Sequence, residues 1–484
     1  MASKSKLYFI PGSQDLYGEE CLAQVRKDCQ EMVQFLNEKL SDVAEVVLMP
    51  TVETSKVCVE DIRAAENDDD CVGVITWMHT FSPAKMWIKG LQILRKPLLH
   101  LHTQANERLP YSEIDMDFMN LNQAAHGDRE YGFILARLGI PHEVVAGFYK
   151  HDDVIAKIRR FAHVASAIAC GRNLTVATFG NNMRDVAVTD GNRLECEIKY
   201  GWEIKYWGIG EIASLANTLS DAEIDQKMGE YQSKYTMATD NREAVREQAK
   251  YEVALETFMK QNGVGAFTDT FQDLHGLKQL PGLASQNLMA KGIGFGPEGD
   301  YKISALSAVL MKMSEGREGA TGFIEDYTYD LEKGQELELA SHMLEVPPAF
   351  AATKPEIQVH PLGIGGKEDP ARLVFDGVTG DGIQVTLIDL GDHFRIICAD
   401  IELVKQPEPM PKLPVARIMY RHKPNFAIGT AAWCYAGGAH HSVVSTALTR
   451  EDIAMFARLT GTELITIGDD TTEADLQKFF TPGR

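Results

Sequence analysis

Short, nearly continuous apolar runs alternate with longer amphipathic stretches through the first third of the chain. Residues 7–10 read as a buried strand and residues 19–40 as a helix, and residues 46–49, 72–77 and 98–101 supply further strands. A strand without polar alternation is covered on both faces, which marks a parallel, doubly wound sheet. Ligand sites in such sheets gather just past the strand C-termini, where Gly12-Ser13-Gln14 and His79 fall.

A second cycle of the same kind begins after a helix over residues 151–169. Residues 174–179 form a strand closed by Gly180-Asn181-Asn182, and residues 221–262, rich in Glu, Lys and Gln, read as one polar helix. After about Gly319 the pattern changes. Residues 373–375, 383–390 and 394–401 are short strands bounded by Gly and Asp turns, with a helix returning near residues 450–459. That pattern predicts an antiparallel meander or small barrel. The expectation is an α/β protein with two doubly wound αβα domains, residues 1–169 and 170–318. A C-terminal domain, residues 319–484, follows with an antiparallel β-barrel-like core.

Length supports three domains, because 484 residues exceed what one core usually organises. Charge narrows the partners: 48 Lys+Arg against 69 Asp+Glu give a net charge of −21. Nucleic-acid and anionic-membrane binding need a basic face, so a neutral substrate or a cation fits better. No apolar run reaches the ~18 residues of a membrane span. The first residues are polar and pass directly into a strand, and the eight cysteines are scattered. Reduced thiols and a cytoplasmic location are expected.

Gly208-Ile209-Gly210-Glu211-Ile212-Ala213 formally matches a dinucleotide fingerprint, but the acidic residue required about twenty positions on falls in helical sequence. A turn and helix start is the better reading. There is no P-loop, G-x-S-x-G elbow or His-Glu-x-x-His, so common hydrolases lose their support.

Four polar positions remain. Glu298 lies in a Gly-rich segment, residues 292–300, that reads as crowding a ligand; Glu325 lies in an apolar, aromatic strand. His342 sits among Ser, Met and Leu, and His440-His441 follows Gly437-Gly438. A carboxylate in an apolar strand is costly unless paired or bound to a cation. Taken singly, each also fits a solvated loop, a satisfied core histidine or a turn. Spacing alone leaves a metal site open.

Longer blocks carry more. Gly12-Ser13-Gln14-Asp15-Leu16-Tyr17-Gly18, residues 77–87, 120–127, 273–284, 323–329, 341–346 and 360–370, and the Gly437–His441 segment stand in one order across the chain. Together they resemble the L-arabinose isomerase family over essentially the whole length. The resemblance implies a cytoplasmic, metal-dependent aldose–ketose isomerase acting on a neutral sugar. It would convert L-arabinose to L-ribulose through a cis-enediol, the first step of L-arabinose catabolism, and D-galactose to D-tagatose as a further reaction. It places metal ligands at Glu298, Glu325, His342 and His441, with Glu298 and Glu325 also the catalytic acid/base pair. Gln14, His126, Met183 and Phe271 match the positions that line the sugar pocket. Asp15 and Asp128 put negative charge next to two of these, which would bear on sugar preference and pH optimum. The implied cofactor is one Mn²⁺ per subunit, replaceable by Co²⁺ or Mg²⁺. The implied assembly is a homohexamer built from trimers, with active sites shared between subunits. The rival, a non-catalytic sugar-binding protein of two doubly wound domains, needs no pairing of two carboxylates with two imidazoles.

Overall fold

The computed structural model describes residues 4–479, which pack as two units. One comprises the chain up to Ala169 together with Ala454–Gly461; the other comprises Cys170–Ile453 and the chain from Thr462 onward.

The first unit is built on five parallel strands, β1 (Lys6–Gly12), β2 (Glu45–Leu48), β3 (Cys71–Met78), β4 (Leu98–His102) and β5 (Glu143–Ala146), in the order β2-β1-β3-β4-β5. All eight residues of β3 are buried, which is why its sequence carries no alternation. The helix Gly18–Leu40 buries Leu22, Val25, Cys29, Met32, Val33, Leu36 and Leu40, the stripe that a 3.6-residue period produces. Gln14 and His79 do follow the ends of β1 and β3.

The second unit contains a four-stranded parallel sheet and a larger mixed sheet. The former is ordered β10-β9-β6-β7, from β6 (Thr175–Phe179), β7 (Glu203–Trp207), β9 (Val264–Asp269) and β10 (Gly294–Phe295). Residues 221–262 are not one helix. They form Asp221–Lys234 and Arg242–Asn262, separated by the two-residue β8 (Thr236–Met237). Two local forces break the run: β8 pairs with Glu356-Ile357, and Asn241 caps the second helix by accepting from the Ala244 N–H at 3.1 Å. The dinucleotide-like segment is a helix start, Ile209–Thr218.

The C-terminal strands are β11 (Thr321–Asp330), β12 (Leu337–Ser341), β13 (Glu356–Val359), β14 (Ala371–Asp376), β15 (Gly380–Asp389), β16 (Phe394–Val404), β17 (Ala416–His422), β18 (His441–Ser445) and β19 (Glu463–Ile467). Six of them close a barrel, β16-β15-β18-β11-β12-β17 and back to β16, with every pairing antiparallel. β19 extends the sheet beside β16, and β14, β13 and β8 extend it from β17. The interior holds Ile324, Ala340, Ile401, Leu403, Ile418, Tyr420 and Val444 in one apolar cluster.

The helix Tyr301–Met313 joins the two sheets of this unit, packing against β9, β10, β11, β15 and β18. Nearly all its residues are buried, so its start is fixed in space. A Cβ at Gly294 would lie 2.2 Å from the Ser304 carbonyl, and one at Gly296 would lie 2.7 Å from the Asp300 carbonyl. These glycines therefore seat the loop backbone against the helix; the crowding they permit is internal to the protein. All eight cysteines are free thiols. Among the described residues no helix is long and apolar enough to cross a membrane.

Candidate metal centre

Strand register assembles the centre. Glu325 on β11 stands opposite His441 on β18 and opposite Ser341 on β12, whose successor is His342. Cross-strand partners share a sheet face, which sets Glu325 beside His441; His342 follows the end of β12 and reaches the same place from outside the ladder. His342 Nε2 lies 3.1 Å from Glu325 Oε2. Glu298 arrives from the loop ahead of the Tyr301–Met313 helix, with its Oε2 3.7 Å from His441 Nε2. Its backbone has a φ of 62°, unusual for a residue with a side chain. That conformation is held by the Met183 N–H donating to the Glu298 carbonyl at 2.8 Å, and by Gly299 N–H donating to Asp269 O at 3.0 Å.

Each buried imidazole is aimed by a carboxylate on its far nitrogen. His441 Nδ1 bonds Asp300 Oδ2 at 3.0 Å, while Asp300 Oδ1 caps the Tyr301–Met313 helix by accepting from Ile303 N–H at 3.2 Å. His342 Nδ1 bonds Glu345. Burial would raise the Asp300 pKa, but Lys302 and the His441 hydrogen bond hold it below the ordinary carboxylate value. Burial alone would lower His342; the Glu345 carboxylate, with Glu325 and Glu298, carries it up to about 9. Glu325 is raised chiefly by burial, against His342 and His441. Asp269 is pushed up to about 7 by burial and the Glu345 charge.

His441 Nε2 is fully buried and has no hydrogen-bond partner, although Nδ1 is fixed. A buried nitrogen left unpaired is costly unless something absent from the protein atoms satisfies it. Two carboxylates and two imidazoles, each imidazole oriented by a further acid, form the donor set of a divalent cation, so these residues fit one. His440, 39% exposed, also reaches the group: its Nε2 is 4.0 Å from Glu325 Oε1. Glu298, His440 and His441 offer donor atoms within 4.8 Å of one another. Burial and then the neighbouring His441 push the His440 imidazole down to about 4.

Of the sugar-pocket positions, Phe271 is buried and stacks parallel to His342 with ring centroids 5.9 Å apart, and Met183 is tied to Glu298 through the backbone. Gln14 and His126 lie in the first unit. His126 is exposed there, stacked on Phe81, with Nδ1 3.2 Å from Gln123 Oε1. The Asp128 side chain is 3% exposed and lies against His100 and His102 inside the first unit. Asp300, Glu345 and Asp269 were not singled out from sequence. The one signal available was spacing: an acid two residues after Glu298 and another three residues after His342.

Fold and site together define a class: a multidomain α/β protein carrying a candidate divalent-cation centre of two glutamates and two histidines on an antiparallel barrel. Family sequence models for the L-arabinose isomerase N-terminal, central and C-terminal domains match residues 1–173, 175–316 and 320–463. The L-arabinose isomerase of Halalkalibacterium halodurans is 50% identical over 478 residues, covering 97% of this chain and 96% of its own. That of Shouchella clausii is 49% identical over 476 residues (98% and 97%), and that of Geobacillus stearothermophilus 48% over 477 residues (96% and 95%). The chain belongs to the L-arabinose isomerase family.

Proposed function

We propose that this protein isomerises L-arabinose to L-ribulose, opening L-arabinose catabolism in the cytoplasm, and converts D-galactose to D-tagatose at the same site. The observation that carries the reading is the convergence of Glu298, Glu325, His342 and His441 in a chain that matches the family end to end.

The reaction moves one proton from C2 to C1 and another between O1 and O2. Glu298 and Glu325 form the acid/base pair: one carboxylate takes the C2 proton, giving the cis-enediol, and returns it to C1. Burial raises the Glu325 carboxyl above its ordinary value, which favours its taking up a proton. Glu298, Glu325, His342 and His441 hold one divalent cation per subunit, Mn²⁺ with Co²⁺ or Mg²⁺ as substitutes, which supplies Lewis-acid stabilisation of negative charge on the sugar oxygens. His441 is preferred to His440 as a ligand because its buried Nε2 has no other partner. Phe271 and Met183 shape the apolar side of the pocket. Gln14 and His126 bond sugar hydroxyls, with His126 Nδ1 held by Gln123. The assembly is a homohexamer whose active sites are shared between subunits.

The deciding experiment compares kcat/KM for ketose formation from L-arabinose, D-galactose and L-fucose in the presence of Mn²⁺. L-Arabinose should lead and D-galactose follow. Saturable L-arabinose binding without ribulose, or a preference for L-fucose, would refute the assignment.

The carboxylates behind the imidazoles should matter nearly as much as the ligands. Glu345→Gln should weaken Mn²⁺ binding by about 10- to 100-fold, because His342 loses the charge that orients it. Calorimetric titration of the dialysed variant measures this, and unchanged affinity would remove Glu345 from the account.

A further inference from the structure

A second group of metal-type donors lies in the first unit, and it shares no residue with the centre described above. His100 and His102, two apart on β4, project from the same face of the strand. Asp128, on the helix Ala124–Leu138, comes down between them. The three offer donor atoms within 4.8 Å of one another. His100 and Asp128 side chains are each 3% exposed.

A closed hydrogen-bond network explains only half of this arrangement. His102 Nδ1 bonds Asp128 Oδ2, and Thr76 Oγ1 is 3.1 Å from His100 Nδ1. The other half is left open. His100 Nε2 and Asp128 Oδ1 face each other at 3.1 Å without hydrogen-bond geometry, and neither has any other partner. Two buried polar atoms facing each other unpaired are costly. Bonds of about 2.0–2.2 Å at tetrahedral angles place neighbouring donors about 3.3–3.6 Å apart, so a shift of a few tenths of an ångström lets this pair admit a small cation. The Glu325–His342 pair has the same 3.1 Å spacing. Thr76 then serves as the outer partner that fixes the His100 ring, as metal-bound imidazoles require.

We infer that His100, His102 and Asp128 form a second cation site, which takes one zinc-class divalent ion. Two imidazoles and one carboxylate are a three-ligand zinc set, and they leave a position for water; His102 gives up its Nδ1–Asp128 hydrogen bond, and the shared proton to solvent, when the ion enters. His102, 37% exposed, lines a cavity of about 250 Å³ with Thr103, Gln104 and Glu107, from which that water or a small oxygen ligand enters.

The test counts metal. Wild-type protein is dialysed against Zn²⁺ and then against metal-free buffer, and zinc per chain is measured by plasma emission. His102→Gln, at a partly exposed position, should carry one zinc fewer per chain than wild type while keeping its circular dichroism and melting curve. A Glu298→Gln/Glu325→Gln double variant should keep the zinc that His102→Gln loses, which separates this site from the proposed catalytic one. Co²⁺ loading adds a second readout: a visible d–d band of tetrahedral intensity, present in the wild type and in the double variant and absent from His102→Gln. Equal zinc counts in wild type and His102→Gln, or no zinc retained by the double variant, would overturn the site.

Discussion

Glu325→Gln and Glu298→Gln should each leave a folded protein whose turnover of L-arabinose is reduced by about 10²- to 10⁴-fold, the usual contribution of a positioned acid or base. The fold should survive for a local reason. Glu325 is 15% exposed on a strand, and burial already disfavours its charge. An isosteric neutral amide removes that desolvation cost and keeps the strand pairing to Ser341 and His441. His342 does not lose its charge partner, because Glu345 remains on Nδ1. Glu298 is 13% exposed in a loop held by backbone bonds from Met183 and Gly299, which the substitution does not touch. A ligand role and an acid/base role separate in one further step. If the carboxylate only holds the ion, millimolar Mn²⁺ should restore turnover to the variant. If it moves the C2 proton, saturating Mn²⁺ should leave kcat depressed. More than a few per cent of wild-type turnover in either metal-saturated variant would remove that residue from the proton transfer.

The pattern of apolar runs made the parallel sheet legible, because burial on both faces leaves no alternation to confuse with a helix. β3 is the clear case, apolar enough to be found and buried at every residue. The barrel's turns were legible for a different reason: Asp and Gly mark the ends of β15 and β16 in the sequence. Barrel closure was not, since the β16–β17 pairing is set by register between segments whose own sequences read only as strand or loop. The break within residues 221–262 was hidden likewise: both halves are good helix, and the interruption depends on a distant strand, β13, capturing Thr236-Met237. At the centre, residue type pointed to Glu298, Glu325, His342 and the paired histidines, and the family resemblance ordered them. The acids behind them stayed invisible. Asp300 contacts His441 across 141 residues of sequence, and in sequence it resembles an ordinary helix cap, which it also is. Asp128, which the sequence sets beside the presumed sugar pocket, is buried between two histidines, an environment the sequence does not show.

Exhaustive dialysis against EDTA should abolish isomerase activity, and Mn²⁺ should restore it. The protein atoms leave the centre incomplete. His441 Nε2 has no partner within a fully buried position, and Glu298, 3.7 Å away, does not reach it as a hydrogen-bond acceptor. Glu298 also sits close enough to disfavour the charge on Glu325. A cation among these groups satisfies the nitrogen and offsets the repulsion at once, so the ion-free state is the less stable one. Linkage sets the size: an ion present at a hundred times its dissociation constant stabilises the folded state by about 2.7 kcal/mol. The melting temperature should therefore fall on chelation and recover with Mn²⁺ over the same concentration range that restores turnover. Coincidence of the two titrations would tie catalysis to the centre on the barrel; in Glu298→Gln/Glu325→Gln, both responses to Mn²⁺ should vanish. Full activity after dialysis, with the metal content confirmed below a tenth of an ion per chain, would show that the isomerisation proceeds without a cation.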